Sequence, residues 1–138
     1  SFPYDGATDV LPSFTYSLLP HAKDYTNGVI SAAYVLNNPF TVAKGGNGQL
    51  AQEYSLVSTN DGGVVCETVK QAEEGSGMVV RVYEANGARH NATITFGLPV
   101  KQAYLCDLNE NEIEQLQTDG NDVHVTVKPF EILTIKVL

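Results

Sequence analysis

Three histidines, two cysteines and sixteen acidic side chains are the raw material for chemistry in this chain of 138 residues. Zinc hydrolysis needs several His, Cys or carboxylate ligands converging on one ion. His21, His90 and His124 stand isolated, with no HExxH or HxD pattern, and read as surface or loop residues. Nucleophilic catalysis needs a base and an orienting group beside the nucleophile. Gly75, Ser76 and Gly77 lack the outer spacing of a GxSxG elbow and read as a hairpin turn. Glycoside hydrolysis uses two carboxylates about 5 to 9.5 Å apart across the scissile bond. Glu73 and Glu74 fall in a turn, and Glu110, Glu112 and Glu114 in a polar connection, with no aromatic wall beside either group; both read as solvated loops. A stacking platform for sugars is not evident either: the chain has no Trp, and Tyr4, Tyr25 and Tyr83 form no row. The residues therefore predict neither a catalytic group nor a metal ligand in this chain.

One segment carries more polar specification than a core needs. Val64 to Gly87 reads VVCETVKQAEEGSGMVVRVYEANG, two strand-like runs around a glycine-broken acidic turn. Alternation in the second run puts Met78, Val80 and Val82 on a core side and Val79, Arg81 and Tyr83 on the other. A face that mixes a cation, a phenol and an aliphatic residue suits contact with something polar yet largely dry. Arg81, Tyr83, Glu84, Asn86 and Arg89 crowd one strand end and are the candidates for an interdomain face or the rim of a cleft.

The elements that must position these residues are mostly strands. Phe14, Tyr16 and Leu18 alternate with Thr15 and Ser17; Ala92, Ile94 and Phe96 with Thr93 and Thr95; Val123, Val125 and Val127 with His124 and Thr126; Leu133, Ile135 and Val137 with Thr134 and Lys136. Each reads as a half-buried antiparallel strand. After Asn27, a good N-cap, Val29, Ile30, Ala33, Tyr34 and Asn37 recur at helical spacing, and Pro39 marks the end of one short helix. Lys44 to Gln49 is a flexible loop, and Glu73 to Gly77, Asn86 to Gly87 and Asp119 to Asn121 are tight connections. The fold class is mainly β, an antiparallel β-sandwich of about eight or nine strands with one short helix.

Length allows one real core. Residues 1–12 read as a linker end with two prolines, as in a piece of a longer polypeptide, and residues 13–138 as a single domain. Eight basic against sixteen acidic residues leave a net charge of −8, which disfavours nucleic acid and anionic membrane as partners. No apolar run approaches the roughly 18 residues of a membrane span. Cys66 and Cys106 lie in apolar runs and read as free core thiols rather than a disulfide. Asn91 to Thr93 forms a glycosylation sequon, meaningful only in a secreted chain.

The run TVKQAE followed by RVYEANG resembles the C-terminal region of family 38 glycoside hydrolases, the alpha-mannosidases, most closely their cytosolic branch. Phe14 to His21, Gly28 to Phe40, Leu98 to Glu110 and Lys128 to Leu138 resemble further blocks of the same region, in the same order. The resemblance implies a noncatalytic C-terminal β domain of a retaining exo-alpha-mannosidase, inactive alone, packed on the catalytic domain of the same polypeptide and framing its cleft. The nucleophilic carboxylate and a divalent metal, zinc or cobalt, would belong to that catalytic domain, with no cofactor in this chain. Mannosides would be met through the parent enzyme, in the cytoplasm, and a homo-oligomer of the parent is compatible with this. The competing expectation from the residues is a freestanding carbohydrate-binding or dimerisation sandwich.

Overall fold

A computed structural model describes residues 14–26, 28–45, 48 and 53–138. The chain divides into two compact units, Ser1–Val42 and Ala43–Leu138. The expected linker end, residues 1–12, lies outside the described residues.

The described part of the first unit holds one helix, α1, over Val29–Asn37. Asn27, expected as its cap, lies outside the described residues; Gly28 caps the helix instead, with a left-handed φ of 84° that glycine adopts without a Cβ clash. Asn38 N–H closes the other end on Tyr34 C=O at 2.8 Å, one residue before the expected stop at Pro39. The alternating run at Phe14, Tyr16 and Leu18 is not a strand: the three side chains are 84%, 80% and 89% exposed. Alternation names the side that would be buried, but a strand exists only through the ladder a partner supplies. No described residue pairs with this run.

The second unit is the sandwich. Its strands are β1 (Val57–Thr59), β2 (Val64–Gln71), β3 (Met78–Glu84), β4 (His90–Phe96), β5 (Ala103–Cys106), β6 (Glu112–Leu116), β7 (Thr118–Asp119), β8 (Asp122–Val127) and β9 (Ile132–Val137). They form two antiparallel sheets, one in the order β1, β4, β8, β7 and the other β2, β3, β9, β5, β6. The core is the set of inward residues that the alternation marks. Val80, Val82, Leu133, Ile135 and Val137 from the five-stranded sheet pack with Ala92, Ile94, Phe96, Val123, Val125 and Val127 from the four-stranded one. Cys66 and Cys106 are both free thiols, as expected.

A bulge at Glu67 sets the phase of β2. Cys66 faces Val82 but Thr68 faces Arg81, so even-numbered side chains pass from the inner side of the sheet to the outer. The Glu112 to Leu116 run, expected as a polar connection, is a strand. Its residues from Glu112 to Gln115 are exposed, and β5 alone supplies the ladder that a periodicity of burial would otherwise have announced.

The outer face of β3 is roofed by its own chain. Asp107 accepts the backbone N–H groups of Asn109 and Asn111 at 2.8 and 2.9 Å and curls residues 107–111 into a turn. Leu108 C=O of that turn takes a hydrogen bond from Arg81 Nη2 at 3.0 Å. Glu110 accepts from Lys70 Nζ at 2.8 Å and from Glu73 N–H at 2.8 Å, and with its side chain only 8% exposed it is not the solvated carboxylate expected there. Val79, on the same face as Arg81, is fully buried.

Candidate functional site

At one end of the sandwich three connections meet: residues 60–63 between β1 and β2, residues 85–89 between β3 and β4, and residues 128–131 between β8 and β9. Their centre is Glu84, the last residue of β3. As an even-numbered neighbour of Val80 and Val82 it points inward, and its side chain has no solvent exposure.

Both carboxylate oxygens are occupied. Oε1 accepts Asn86 N–H at 2.7 Å and His90 Nε2 at 3.1 Å. Oε2 accepts Gly87 N–H at 2.8 Å and Phe130 N–H at 2.9 Å. Burial pushes this carboxyl up, but the backbone N–H groups of Phe130, Asn86, Ala88 and Gly87 outweigh that and hold it down at about 2. Glu84 is therefore an anion at any physiological pH and has no proton to give a leaving group.

His90, the first residue of β4, spans two carboxylates. Its Nδ1 lies 2.7 Å from Asp61 Oδ2 while Nε2 meets Glu84, so both ring nitrogens donate and the ring is an imidazolium. The hydrogen bond to Asp61 is the main reason its pKa is raised. Asp61 is in turn held low, first by Gly63 N–H, which donates to its Oδ1 at 2.8 Å. Gly63 can be nothing larger here, since a Cβ on it would lie 2.5 Å from His90 Cε1. Because β4 and β3 belong to different sheets, the chain of Asp61, His90 and Glu84 clamps the two layers together.

The sign of the resulting pH dependence follows from the raised pKa of His90. Its stabilisation is complete below the unfolded value of 6.5 and is lost as pH rises through the higher folded value. The melting temperature of the chain is expected to fall through the alkaline side of that range, and His90→Gln to flatten the fall while lowering the plateau. Equal slopes in the two proteins would contradict it.

The five residues put forward from the sequence are split by the sheet. Glu84 and Asn86 come together, the first buried and the second half-buried. Arg81 and Tyr83 lie half-buried on the opposite face of β3, where Arg81 Nε is buried with no hydrogen-bond partner among the described residues. Arg89 is exposed in the turn after Asn86. Asp61, Gly63, His90 and Phe130 belong to the cluster and were not singled out. His90 is not the isolated surface or loop residue expected: it shares the inward parity of Ala92, Ile94 and Phe96, the one sequence signal that placed it. Among the described residues no group of three His, Cys, Asp or Glu side chains could hold a metal ion.

Clefts lie elsewhere among the described residues, two of them with contrasting linings. One, of about 490 Å³, is mainly apolar and is lined by Met78, Phe96, Leu98, Val100 and Leu138 among others. The other, of about 530 Å³, is polar and is lined by Glu73, Glu74, Glu110, Glu112 and Lys136 with two asparagines. In the second, Lys70 pairs with Glu73 and Glu110, and Lys136 with Glu112 at 3.1 Å, so three of its four carboxylates are already matched by cations.

Known proteins resemble this chain over the same region. A family model described as the glycosyl hydrolases family 38 C-terminal beta sandwich domain matches residues 63–135. The chain is 38% identical over 128 residues to Alpha-mannosidase 2C1 of Homo sapiens, an alignment that covers 88% of this chain and 12% of that protein. It is 35% identical over 128 residues to Alpha-mannosidase 2C1 of Mus musculus, with the same coverage. Alpha-mannosidase G of Dictyostelium discoideum is 31% identical over 133 residues, 91% of this chain and 12% of that protein. The chain thus spans about an eighth of the length of these relatives.

Proposed function

This chain belongs to the C-terminal beta-sandwich domain family of the family 38 glycosyl hydrolases, and from that premise we propose that it is the noncatalytic C-terminal domain of a retaining exo-alpha-mannosidase. The parent hydrolyses terminal alpha-mannosidic bonds. Its catalytic domain, in the same polypeptide, supplies the carboxylate nucleophile and the divalent metal, zinc or cobalt. The present domain packs on it and frames the cleft.

The observation that carries this reading is the state of Glu84. It is the one fully buried carboxylate among the described residues, and its two oxygens are engaged by three backbone N–H groups and an imidazolium. A carboxylate spent in this way organises three loops and does not act as acid, base or nucleophile. Asn86 and Arg89 then supply the polar edge of the rim, Arg81 and Tyr83 the outer sheet face beside it, and Glu84 acts by shaping the turn that presents them. The names of the relatives, alpha-mannosidases, support the substrate class. Two free thiols accord with a cytoplasmic site of action, where thiols stay reduced.

The test separates domain from parent. The 138-residue chain is expected to release no aryl alcohol from an aryl alpha-mannoside above background. The full-length polypeptide is expected to release it, with alpha-mannose as the first sugar product by proton NMR. Turnover by the isolated chain would overturn the noncatalytic assignment, and beta-mannose as the first product would overturn retention.

A further inference from the structure

Phe130 holds an aromatic ring where the backbone least favours one. Its φ is 58°, in the left-handed region that a bulky L-residue seldom enters, and the residue is 70% exposed. The position is imposed by neighbours. Phe130 N–H donates to Glu84 Oε2 at 2.9 Å, Lys128 N–H to Glu131 Oε2 at 2.7 Å, and Glu131 N–H to Lys128 C=O at 3.0 Å. Beneath the ring lies Gly87, itself at φ 74°, where a Cβ would stand 2.8 Å from Phe130 Cζ. A buried carboxylate, a glycine and a four-residue turn thus combine to push one ring outward.

The surroundings extend the patch. Ile132, two residues on, is 58% exposed and stands opposite Tyr83 in the ladder. Two cations flank it in sequence: Arg89, exposed two residues after Gly87, and Lys128 in the same turn, which stays 65% exposed although its Nζ lies 3.6 Å from Glu131 Oε1. They are two of only eight basic residues in a chain of net charge −8. The aligned region is 12% of the human relative's length, so that polypeptide contains far more chain than this domain does.

We propose that Phe130, with Ile132, is the anchor by which this domain docks on the rest of its own polypeptide, entering an apolar socket whose border carries carboxylates for Arg89 and Lys128. This rests on the reading of the chain as one domain of a longer enzyme. An aromatic anchor in a desolvated socket with a charged rim is the usual source of binding energy at such contacts.

Phe130→Gly separates anchor from scaffold. Glycine accepts φ 58° without strain, so the melting temperature of the isolated 138-residue chain is expected to stay within about 2 °C of wild type or to rise. In the full-length polypeptide the same change is expected to speed amide exchange of residues 128–132, or proteolytic release of the domain, at least about tenfold, the size of a lost interface anchor. A residue that merely stabilises its own turn would lower the isolated chain and leave exchange in the full-length protein in step with it; that result overturns the anchor. Protection of the wild-type domain at other surfaces, with residues 128–132 exchanging as fast as in isolation, overturns it as well. If no surface of the domain gains protection in the full-length protein, the packed-domain reading itself fails.

Discussion

Glu84→Ala is expected to cost the isolated chain about 3–5 kcal/mol, the range for breaking a buried charge pair from one side. The loss has two origins. Asn86, Gly87 and Phe130 keep buried or half-buried N–H groups with no acceptor, and His90 keeps a charge with one of its two counter-ions gone. Glu84→Gln is expected to recover only part, because one carbonyl oxygen replaces two anionic ones and the new amide hydrogens point at N–H donors. Urea denaturation reads the difference: with a slope of about 1–3 kcal/mol per molar, the midpoint should drop by about 1 M or more. A midpoint within about 0.2 M of wild type would mean that these groups find other partners. Titration gives a second handle on the same residue. Its folded pKa of about 2 lies below the unfolded 4.5, so the stabilisation is present above pH 4.5 and is lost as pH falls toward 2. At 1.36 kcal/mol per pKa unit the acid limb amounts to about 3 kcal/mol, and Glu84→Gln should remove it.

Phe96→Ala is expected to be as damaging for a different reason. The ring is 1% exposed, among the largest fully buried side chains, and packs in the core shared by both sheets. Its deletion removes transfer free energy and leaves a cavity that strands held on both sides cannot close, since Phe96 pairs with Val57 on β1 and gives its N–H to Asn121 C=O at 2.9 Å. The expected loss is about 3–5 kcal/mol in urea or heat. Its acid limb should match that of wild type, because Glu84 is untouched, and a loss under about 1 kcal/mol would mean that the site collapses around the gap.

These two residues also mark where the sequence is informative. Phe96 was legible: it alternates with Thr95 in a run whose period is that of a strand with one wet face, and the same holds for Val123 to Val127; Leu133 to Val137 and Met78 to Val82 show the period too, but their outward Thr134 and Val79 are buried as well, so those strands are not the half-buried ones expected. Turn chemistry at Glu73 to Gly77 and Asp119 to Asn121 marked the hairpins correctly, and the helical period from Val29 to Asn37 marked the helix. The order of family blocks identified the family before any geometry was known. What failed was each case in which a partner decides. Phe14 to Leu18 has the pattern of a strand and no described neighbour to pair with, while Glu112 to Leu116 has no pattern and pairs well.

The polar centre was the least legible. Glu84 stood out, but as a member of a candidate interdomain face or cleft rim with Arg81 and Tyr83, although its parity is that of Val80 and Val82. Charge argued for the surface and period for the interior; period prevailed because four donors awaited the carboxylate. Asp61 lies 29 residues from His90, and contacts between single polar groups at that separation leave no periodic trace. Only the folded loops bring them together.

The order of the five-stranded sheet has a consequence for the making of the protein. β9 lies at its centre, between β3 and β5, yet follows both in the chain. Until residues 132–137 are free to pair, the β2–β3 and β5–β6 hairpins have no shared strand, and the seven-residue edge of β3 and the four-residue edge of β5 stand open. The nascent domain therefore passes its most aggregation-prone moment just before residues 132–137 emerge, and closes only when they slide between two waiting edges.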